Sequence, residues 1–229
     1  VPMLCLPTAF IGAMGLVLVP KLSQSVALGR MDKVRRRIYK ALLATSVLVM
    51  PALAILVVLG PTIGVYLFRE ATVGRYMVPL SVGVLLSCYQ SVLSGVLSGI
   101  GRQAAAARSS LICGAVQLGC TWVLMGLPGV GLGGYVAGFV LSSALGALLN
   151  YWEVSRRTGL KPRLFQWCTA PALSALLMGL VINLLFRILL DAGMDGAAAC
   201  LACILFGGVL YLAALSAQGV RPSQLFRLK

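Results

Sequence analysis

The stretch Gly29–Lys40, GRMDKVRRRIYK, separates two long apolar runs and organises the chain on either side of it. It carries six of the nineteen Lys and Arg residues, whereas Val1–Val19 before it and Ala41–Leu59 after it contain no charged residue. An uncharged apolar run of about 18 or more residues can cross the hydrocarbon core of a membrane as a helix. Short loops rich in Lys and Arg stay on the cytoplasmic side. The stretch therefore predicts a cytoplasmic loop between two transmembrane helices.

Composition places the whole chain in the membrane class. Hydrophobic residues make up 60% of it, charged residues 10%, and the mean hydropathy is +0.99, whereas soluble domains carry about 25% charged residues. The net charge of +14 lies in short clusters between apolar runs. We therefore expect contact with anionic membrane lipids and no binding of nucleic acid. The chain has no initiator Met and opens with VPMLCLP inside an apolar run, so we expect it to be truncated at the N-terminus.

Charges, Pro and Gly divide the chain into seven predicted helical spans. Gly29 is expected to end the first span, and Gly60-Pro61 is expected to break the second. The spans are predicted at about 2–21, 38–59, 76–100, 109–127, from the turn at Pro128 to 152, 169–190 and 196–217. The predicted connections between them include GVYLFREATVGRY (64–76), the basic link 101–108, VSRRTGLKPRLF (154–165) and DAGMD (191–195).

The charges of successive connections alternate. Every second connection carries a basic cluster, and the last cluster lies in the C-terminal tail. The clusters are at 30–40, 102–108, 156–163 and 221–229. The intervening connections hold few basic residues, and Asp191 and Asp195 make the last one acidic. The positive-inside rule then predicts an all-α integral membrane protein of about seven transmembrane helices in the cell membrane. It puts the N-terminus of this chain on the extracytoplasmic side and the C-terminus in the cytoplasm.

Small and polar residues recur on three of the predicted spans. In span five a residue of this kind occurs at every fourth position: Gly134, Gly138, Ser142, Gly146 and Asn150. Similar stripes are Gly83, Ser87, Ser91, Ser94 and Ser98 in span three, and Ser110, Gly114, Gln117 and Thr121 in span four. Such faces either bring helix backbones into contact or border a hydrated cavity, and both interpretations stay open. Amides are costly in lipid unless paired or hydrated, so Gln90, Gln117 and Asn150 are candidate cavity residues.

Signatures of enzyme chemistry are missing from the sequence. It contains no His, no Walker A motif and no G-x-S-x-G. Residues 129–134, GVGLGG, match G-x-G-x-x-G but follow a Pro turn between two apolar spans, without the preceding strand that dinucleotide binding requires. Cys200 and Cys203 have redox or metal spacing but no second pair, so we interpret them as small residues on a helix face. We expect no catalytic residue, no metal and no cofactor.

Four stretches resemble a known family: VPKLSQSVALGRMDKVRRRIYKALLATSVLVMPALAILVVLGPTIGVYLF, LSGVLSGIGRQ, PGVGLGGYVAGFVLSSALGALLN and SRRTGLKP. They resemble the C-terminal half of polysaccharide-exporter flippases of the stage V sporulation protein B type, in the MATE-like multidrug/oligosaccharidyl-lipid/polysaccharide superfamily. The resemblance covers essentially all 229 residues and consists of patterns of Gly, Pro and Arg. It implies one lobe of a fourteen-helix transporter whose N-terminal lobe is missing from this sequence.

The resemblance also implies a domain organisation and a function. Residues 1–168 would hold five helices of the C-terminal lobe, and residues 169–229 two additional transmembrane helices and a basic cytoplasmic tail. The implied function is to flip a lipid-linked oligosaccharide or peptidoglycan precursor across the cytoplasmic membrane by alternating access, in polysaccharide biosynthesis or sporulation. The alternatives are a cation-coupled multidrug exporter of the same superfamily, and a non-transporting membrane scaffold for envelope or spore assembly.

Flipping such a lipid calls for a hydrated, cationic cavity for the headgroup and an apolar groove for the polyprenyl tail. Lys21, at the cytoplasmic end of span one, is the candidate contact for phosphate, with a snorkelling membrane anchor as the alternative. Together with Gln90, Gln117 and Asn150 it completes the predicted substrate-binding set. Every acidic residue lies in a loop or at the end of a span, which argues against proton relay or binding of an organic cation.

Overall fold

A computed structural model describes residues 19–68, 71–126, 131–159 and 164–218. Within these ranges residues 19–27 are helical (α1), and the helices that follow are α2 (Met31–Phe68), α3 (Ala71–Gly99), α4 (Gln103–Met125), α5 (Leu132–Thr158), α6 (Leu164–Asp191) and α7 (Gly196–Ala217). The described ranges contain no β-strand. The predicted all-α fold is therefore confirmed, with one helix for each of the six expected spans that lie within the described residues.

Five helices are long and apolar enough to cross a membrane. The five segments are Met31–Gly60, Tyr76–Gly99, Leu132–Thr158, Cys168–Asp191 and Gly196–Ala217. Helix α4 is not among them, because polar residues such as Ser110 and Gln117 dilute its apolar sequence. Most of the first predicted span lies outside the described residues. The chain is thus an all-α membrane protein, as its composition predicts.

Two short turns were predicted correctly. Gly29 has a φ of +65°, which glycine adopts without steric cost. Its N–H donates to the carbonyl of Val26 at 2.9 Å, and the N–H of Arg30 donates to Ser25 at 3.1 Å. This pair of hydrogen bonds is a Schellman motif, so Gly29 ends α1 as expected. The turn between Asp191 and Gly196 also matches the predicted acidic connection.

The predicted break at Gly60-Pro61 is wrong, because α2 continues to Phe68. Proline removes one backbone hydrogen bond, but helices in membrane proteins tolerate it where their surroundings satisfy the freed groups. The connection predicted at 64–76, directly after this break, is also wrong. Residues 64–68 and 71–76 are helical, and only 69–70 lie outside the described residues.

The basic clusters also differ from the loops that were predicted. Met31–Lys40 forms the first turns of α2, and α4 begins at Gln103 inside the expected link 101–108. Helix α5 likewise continues to Thr158, beyond the expected end at residue 152. Lys, Arg and Ala are good helix formers in water. Charge therefore marks where an apolar span ends, whereas the helix itself continues beyond it.

The chain forms two compact units. The first comprises Val1–Thr45 and Val82–Arg163, and the second comprises Ser46–Ser81 and Leu164–Lys229. The boundaries between the units fall inside α2 and α3, so each of these helices contributes residues to both units. The division predicted from the sequence, 1–168 and 169–229, stays a prediction.

In the second unit α6 packs against α7. Gly207 allows this approach, since a β-carbon there would overlap the side chain of Ile182. The hydroxyl of Tyr211 donates to the carbonyl of Val47 at 3.0 Å, which joins α7 to α2. The Gln218 amide donates to Ser174 Oγ at 3.1 Å, near the end of α7. Hydrogen bonds as well as apolar contacts thus hold this unit together.

Candidate functional site

Helix α5 contacts α4 through the first half of its stripe of small residues. Gly134 and Gly138 are buried. A β-carbon at Gly134 would lie 2.8 Å from the Leu124 β-carbon and 2.9 Å from the Met125 nitrogen, and one at Gly138 would lie 3.1 Å from Thr121 Oγ1. Small residues at such positions let helix backbones approach closely where lipid removes the hydrophobic driving force. The packing interpretation of the stripe is confirmed.

The second half of the same stripe faces α3. A β-carbon at Gly146 would overlap the side-chain amide of Gln90, so this amide lies against the backbone of α5. One turn later, Asn150 Nδ2 donates to the backbone carbonyl of Gln90 at 3.2 Å. Gly83, on α3, similarly leaves room for Phe139, whose ring carbon Cδ1 would lie 2.7 Å from a β-carbon there. One face of α5 thus supports both α3 and α4.

A polar cavity lies between these three helices. Its volume is about 440 Å³, within the range of roughly 300–1,000 Å³ that is typical of small-molecule sites. Its walls are formed by six serines and two glutamines together with Cys113, Gly114 and Phe139; the polar residues are Ser87, Gln90, Ser91, Ser94, Ser110, Gln117, Ser142 and Ser143. The polar faces of α3, α4 and α5 therefore border a cavity as well as a packing contact, and hydration of this cavity stays a prediction.

No charged side chain is among the residues that line this cavity. Ser142 Oγ donates to the Phe139 carbonyl at 3.1 Å and makes a longer contact of 3.4 Å with Gln117 Oε1. Serine hydroxyls and glutamine amides can each donate and accept hydrogen bonds. The lining can therefore solvate water or an uncharged polar ligand, but it differs from the cationic cavity expected from the sequence.

The four predicted binding residues occupy three different environments. Gln90 and Gln117 line the cavity from α3 and α4. Asn150 is 1% exposed, belongs to the contact between α5 and α3 and is not among the lining residues. Lys21 lies in α1, where its carbonyl accepts a hydrogen bond of 3.0 Å from Ser25 Oγ. A role of these residues in binding substrate stays a prediction.

Three lining residues were missed by the analysis of the sequence. Ser143 follows the stripe residue Ser142 directly, so it falls outside the four-residue period that defines the stripe. Phe139 and Cys113 lie in apolar runs and carry no signal of a cavity. The spacing of polar residues indicates a helix face. The full set of lining residues also depends on the distances between three helices, which spacing along one helix does not give.

Arginines in the basic stretch at the start of α2 form hydrogen bonds to neighbouring helices. Arg35 Nε donates to the backbone carbonyl of Thr158 at 2.7 Å, at the C-terminal end of α5. Arg37 Nη1 hydrogen-bonds to the Lys21 carbonyl and to Ser25 Oγ in α1. A cation beside the free carbonyls at a helix C-terminus is electrostatically favourable. The stretch therefore has a packing role in addition to its effect on topology.

Comparison of the chain with protein-family models gives no match, and comparison with curated proteins gives none either. The resemblance to polysaccharide-exporter flippases therefore stays a prediction from the sequence. Conclusions about function rest on the membrane helices, the cavity and the arrangement of charge.

Proposed function

We propose that this protein is a membrane transporter that flips a lipid-linked oligosaccharide or peptidoglycan precursor across the cell membrane by alternating access. The observation that carries the proposal is the polar cavity of about 440 Å³ between α3, α4 and α5. Polar side chains within membrane helices are costly unless they are paired or hydrated, and they commonly mark a path for a polar solute. The resemblance to exporter flippases supports the same class of substrate.

The outer surface of the second unit is suited to the lipid tail of such a substrate. Large apolar side chains project from α6 and α7 without cover from the rest of the unit; the exposed ones include Leu173, Leu176, Leu180, Leu184, Leu201, Leu205 and Val209. In a membrane such side chains contact acyl chains at no hydrophobic cost. We propose that the polyprenyl tail stays in contact with the bilayer along helices of this kind while the headgroup crosses.

Charge supports a particular orientation in the membrane. Basic residues cluster at the start of α2 and at the end of α5, where Arg36 and Arg157 are exposed. We propose that both ends face the cytoplasm and anionic lipid headgroups, with the turn at Asp195 on the other side. Lys21 keeps its proposed role as a phosphate contact on the cytoplasmic side.

Flipping can be measured in liposomes that contain a fluorescent lipid-linked disaccharide in both leaflets. Dithionite added outside reduces the outer leaflet only, so a flippase raises the fraction of fluorescence that is lost. We expect this increase with the wild-type protein and not with Gly114→Leu. Gly114 lines the cavity and a β-carbon there meets nothing within 4 Å, so the larger side chain fills the cavity without a backbone clash.

Gly119→Leu is the matched control for this substitution. Gly119 lies on the same helix, a β-carbon there also meets nothing within 4 Å, and the residue is not in the cavity lining. We expect normal flipping by this variant. No gain over protein-free liposomes with the wild-type protein would refute the proposed transport, and equal flipping by both variants would remove the cavity from its path.

A further inference from the structure

We infer that the cavity between α3, α4 and α5 binds the uncharged, hydroxyl-rich sugar of the substrate and disfavours its diphosphate. This inference rests on the proposed function and narrows it to one part of the ligand. It also revises the expectation of a single cationic cavity for the whole headgroup. Sugar and phosphate would then contact different parts of the protein.

The absence of charge from the lining is the first argument. None of the eleven residues around the cavity is Lys, Arg, Asp or Glu. A diphosphate that enters a site of this kind loses water and gains no counter-ion, which is unfavourable inside a membrane protein. Two basic side chains of the same unit, Arg35 and Arg37, are instead hydrogen-bonded to α5 and α1. The geometry favours a neutral ligand.

The hydrogen-bonding capacity of the lining is the second argument. Most small-molecule sites are predominantly apolar with a few polar groups, whereas eight of the eleven residues here carry hydroxyl or amide groups. Sugar hydroxyls both donate and accept hydrogen bonds, and serine and glutamine side chains do the same. Such a lining suits a polyhydroxylated ligand better than an apolar drug.

The placement of the two glutamines is the third argument. Gln90 lies on α3 with its amide against the backbone of Gly146, and Gln117 lies on α4 beside Ser142 of α5. The amides of Gln90 on α3 and Gln117 on α4 therefore line the same cavity as the hydroxyl of Ser142 on α5. Phe139 adds one apolar surface to this wall, against which the C–H face of a sugar ring can pack. Together these groups can contact a ring from several sides.

Binding to the protein in lipid nanodiscs tests the inference with two probes that share one tail. The first is the uncharged glycoside farnesyl N-acetylglucosaminide, and the second is farnesyl diphosphate without a sugar. We expect Gln117→Leu to weaken binding of the glycoside by about 3- to 10-fold, the loss expected for one or two neutral hydrogen bonds. We expect no change for the diphosphate. Added salt should leave glycoside binding unaltered, because no charge pair is involved.

Gln103→Leu is the matched control, since Gln103 is exposed at the start of the same helix and does not line the cavity. Its affinity for the glycoside should equal that of the wild type. If Gln117→Leu fails to fold, the double variant Ser87→Ala, Ser91→Ala replaces it, because both hydroxyls line the α3 wall. Unfolding temperatures of each variant show whether a loss of binding is a loss of structure.

Three outcomes overturn the inference: no binding of the glycoside by the wild type, equal weakening of both probes by Gln117→Leu, or displacement of the glycoside by inorganic diphosphate, which has no tail. The flipping assay separates this result from the proposed function. Selective glycoside binding without flipping overturns transport and leaves the sugar site standing. Flipping without a preference for the glycoside overturns the sugar site and leaves transport standing.

Discussion

Leu124 on α4 lies against the backbone of Gly134 on α5, so closely that a β-carbon at Gly134 would be 2.8 Å from its β-carbon and 2.9 Å from its carbonyl carbon. Backbone atoms at this distance cannot move aside as a flexible side chain can. The two helices therefore touch at this point, and the cavity opens farther along α5.

We predict that Gly134→Ala destabilises the protein by about 1–3 kcal/mol, the usual cost of overpacking. The loss should appear although alanine favours helix by about 1 kcal/mol over glycine. Gly138→Ala should cost less, since its nearest neighbour is a side-chain oxygen of Thr121 at 3.1 Å. Thermal unfolding in detergent, followed with a thiol-reactive dye, measures which of the two variants is less stable.

Gly119→Ala is the control on the same pair of helices, because a β-carbon at Gly119 meets nothing within 4 Å. This variant should be as stable as the wild type or slightly more stable. Equal losses for Gly134→Ala and Gly119→Ala would contradict the close contact between α4 and α5.

Gln90 and Gly146 should be energetically coupled. Gly146→Ala places a methyl group where the Gln90 amide lies, so the amide must turn away or the helices must separate. In the Gln90→Ala background this conflict is gone, and the same substitution should then cost clearly less. A double-mutant cycle on the free energy of unfolding isolates the pair, with a coupling expected at about 0.5–3 kcal/mol. Additive effects of the two substitutions would show that the amide does not contact Gly146.

Much of this packing could be predicted from the sequence, because a helix repeats every 3.6 residues. The four-residue period of Gly134, Gly138, Ser142, Gly146 and Asn150 therefore indicated one face, and all five residues are buried. The helix ends were harder to predict. Charge at Arg30–Lys40 marks the end of the apolar run, yet α2 includes most of that stretch, and a proline at position 61 does not end it.

The cavity could be predicted only in part. Gln90 and Gln117 were expected on polar faces, and both line it. However, spacing along one helix cannot show which residue of a neighbouring helix it meets. The bond from Asn150 to the carbonyl of Gln90 depends on the register between α5 and α3. The bond from Arg35 to the carbonyl of Thr158 joins residues far apart in sequence in the same way.

The contact between Arg35 and Thr158 should stabilise the end of α5. Arg35 Nε donates to the Thr158 carbonyl at 2.7 Å, and the side chain is 47% exposed, so we expect Arg35→Leu to cost about 1 kcal/mol or less. Amide hydrogens near residues 154–159 should exchange faster in this variant. Arg36→Leu removes an exposed charge one position away and serves as the control. Unchanged exchange in Arg35→Leu would mean that the contact does not hold the helix end.

The proposed orientation predicts which ends are accessible from each side of the membrane. Single cysteines at positions 36 and 157 should be cytoplasmic, and those at 75 and 195 should be external, in a background without the seven native cysteines. An impermeant maleimide applied to intact cells should label only the external pair. Labelling of position 36 or 157 under these conditions would contradict the proposed topology.

Asn150 provides the last prediction, because its environment suggests a structural role. It is 1% exposed, its Nδ2 donates to the Gln90 carbonyl at 3.2 Å, and its Oδ1 has no hydrogen-bond partner among the described residues. An interhelical hydrogen bond in a membrane protein contributes about 0.6 kcal/mol on average. Asn150→Leu should therefore lower the unfolding temperature slightly, and the selectivity of folded protein for glycoside over diphosphate should stay that of the wild type.

This expectation differs from the one based on the sequence alone, in which Asn150 belongs with Gln90 and Gln117 to the substrate-binding set. The two are separated by comparing Asn150→Leu with Gln117→Leu in the same nanodiscs. Gln117 lines the cavity and Asn150 does not, so Gln117→Leu should lose glycoside affinity and Asn150→Leu should retain it. If Asn150→Leu retains full stability but loses glycoside affinity, the Asn150 side chain reaches the ligand, and the boundary of the cavity must be extended along α5 to include it.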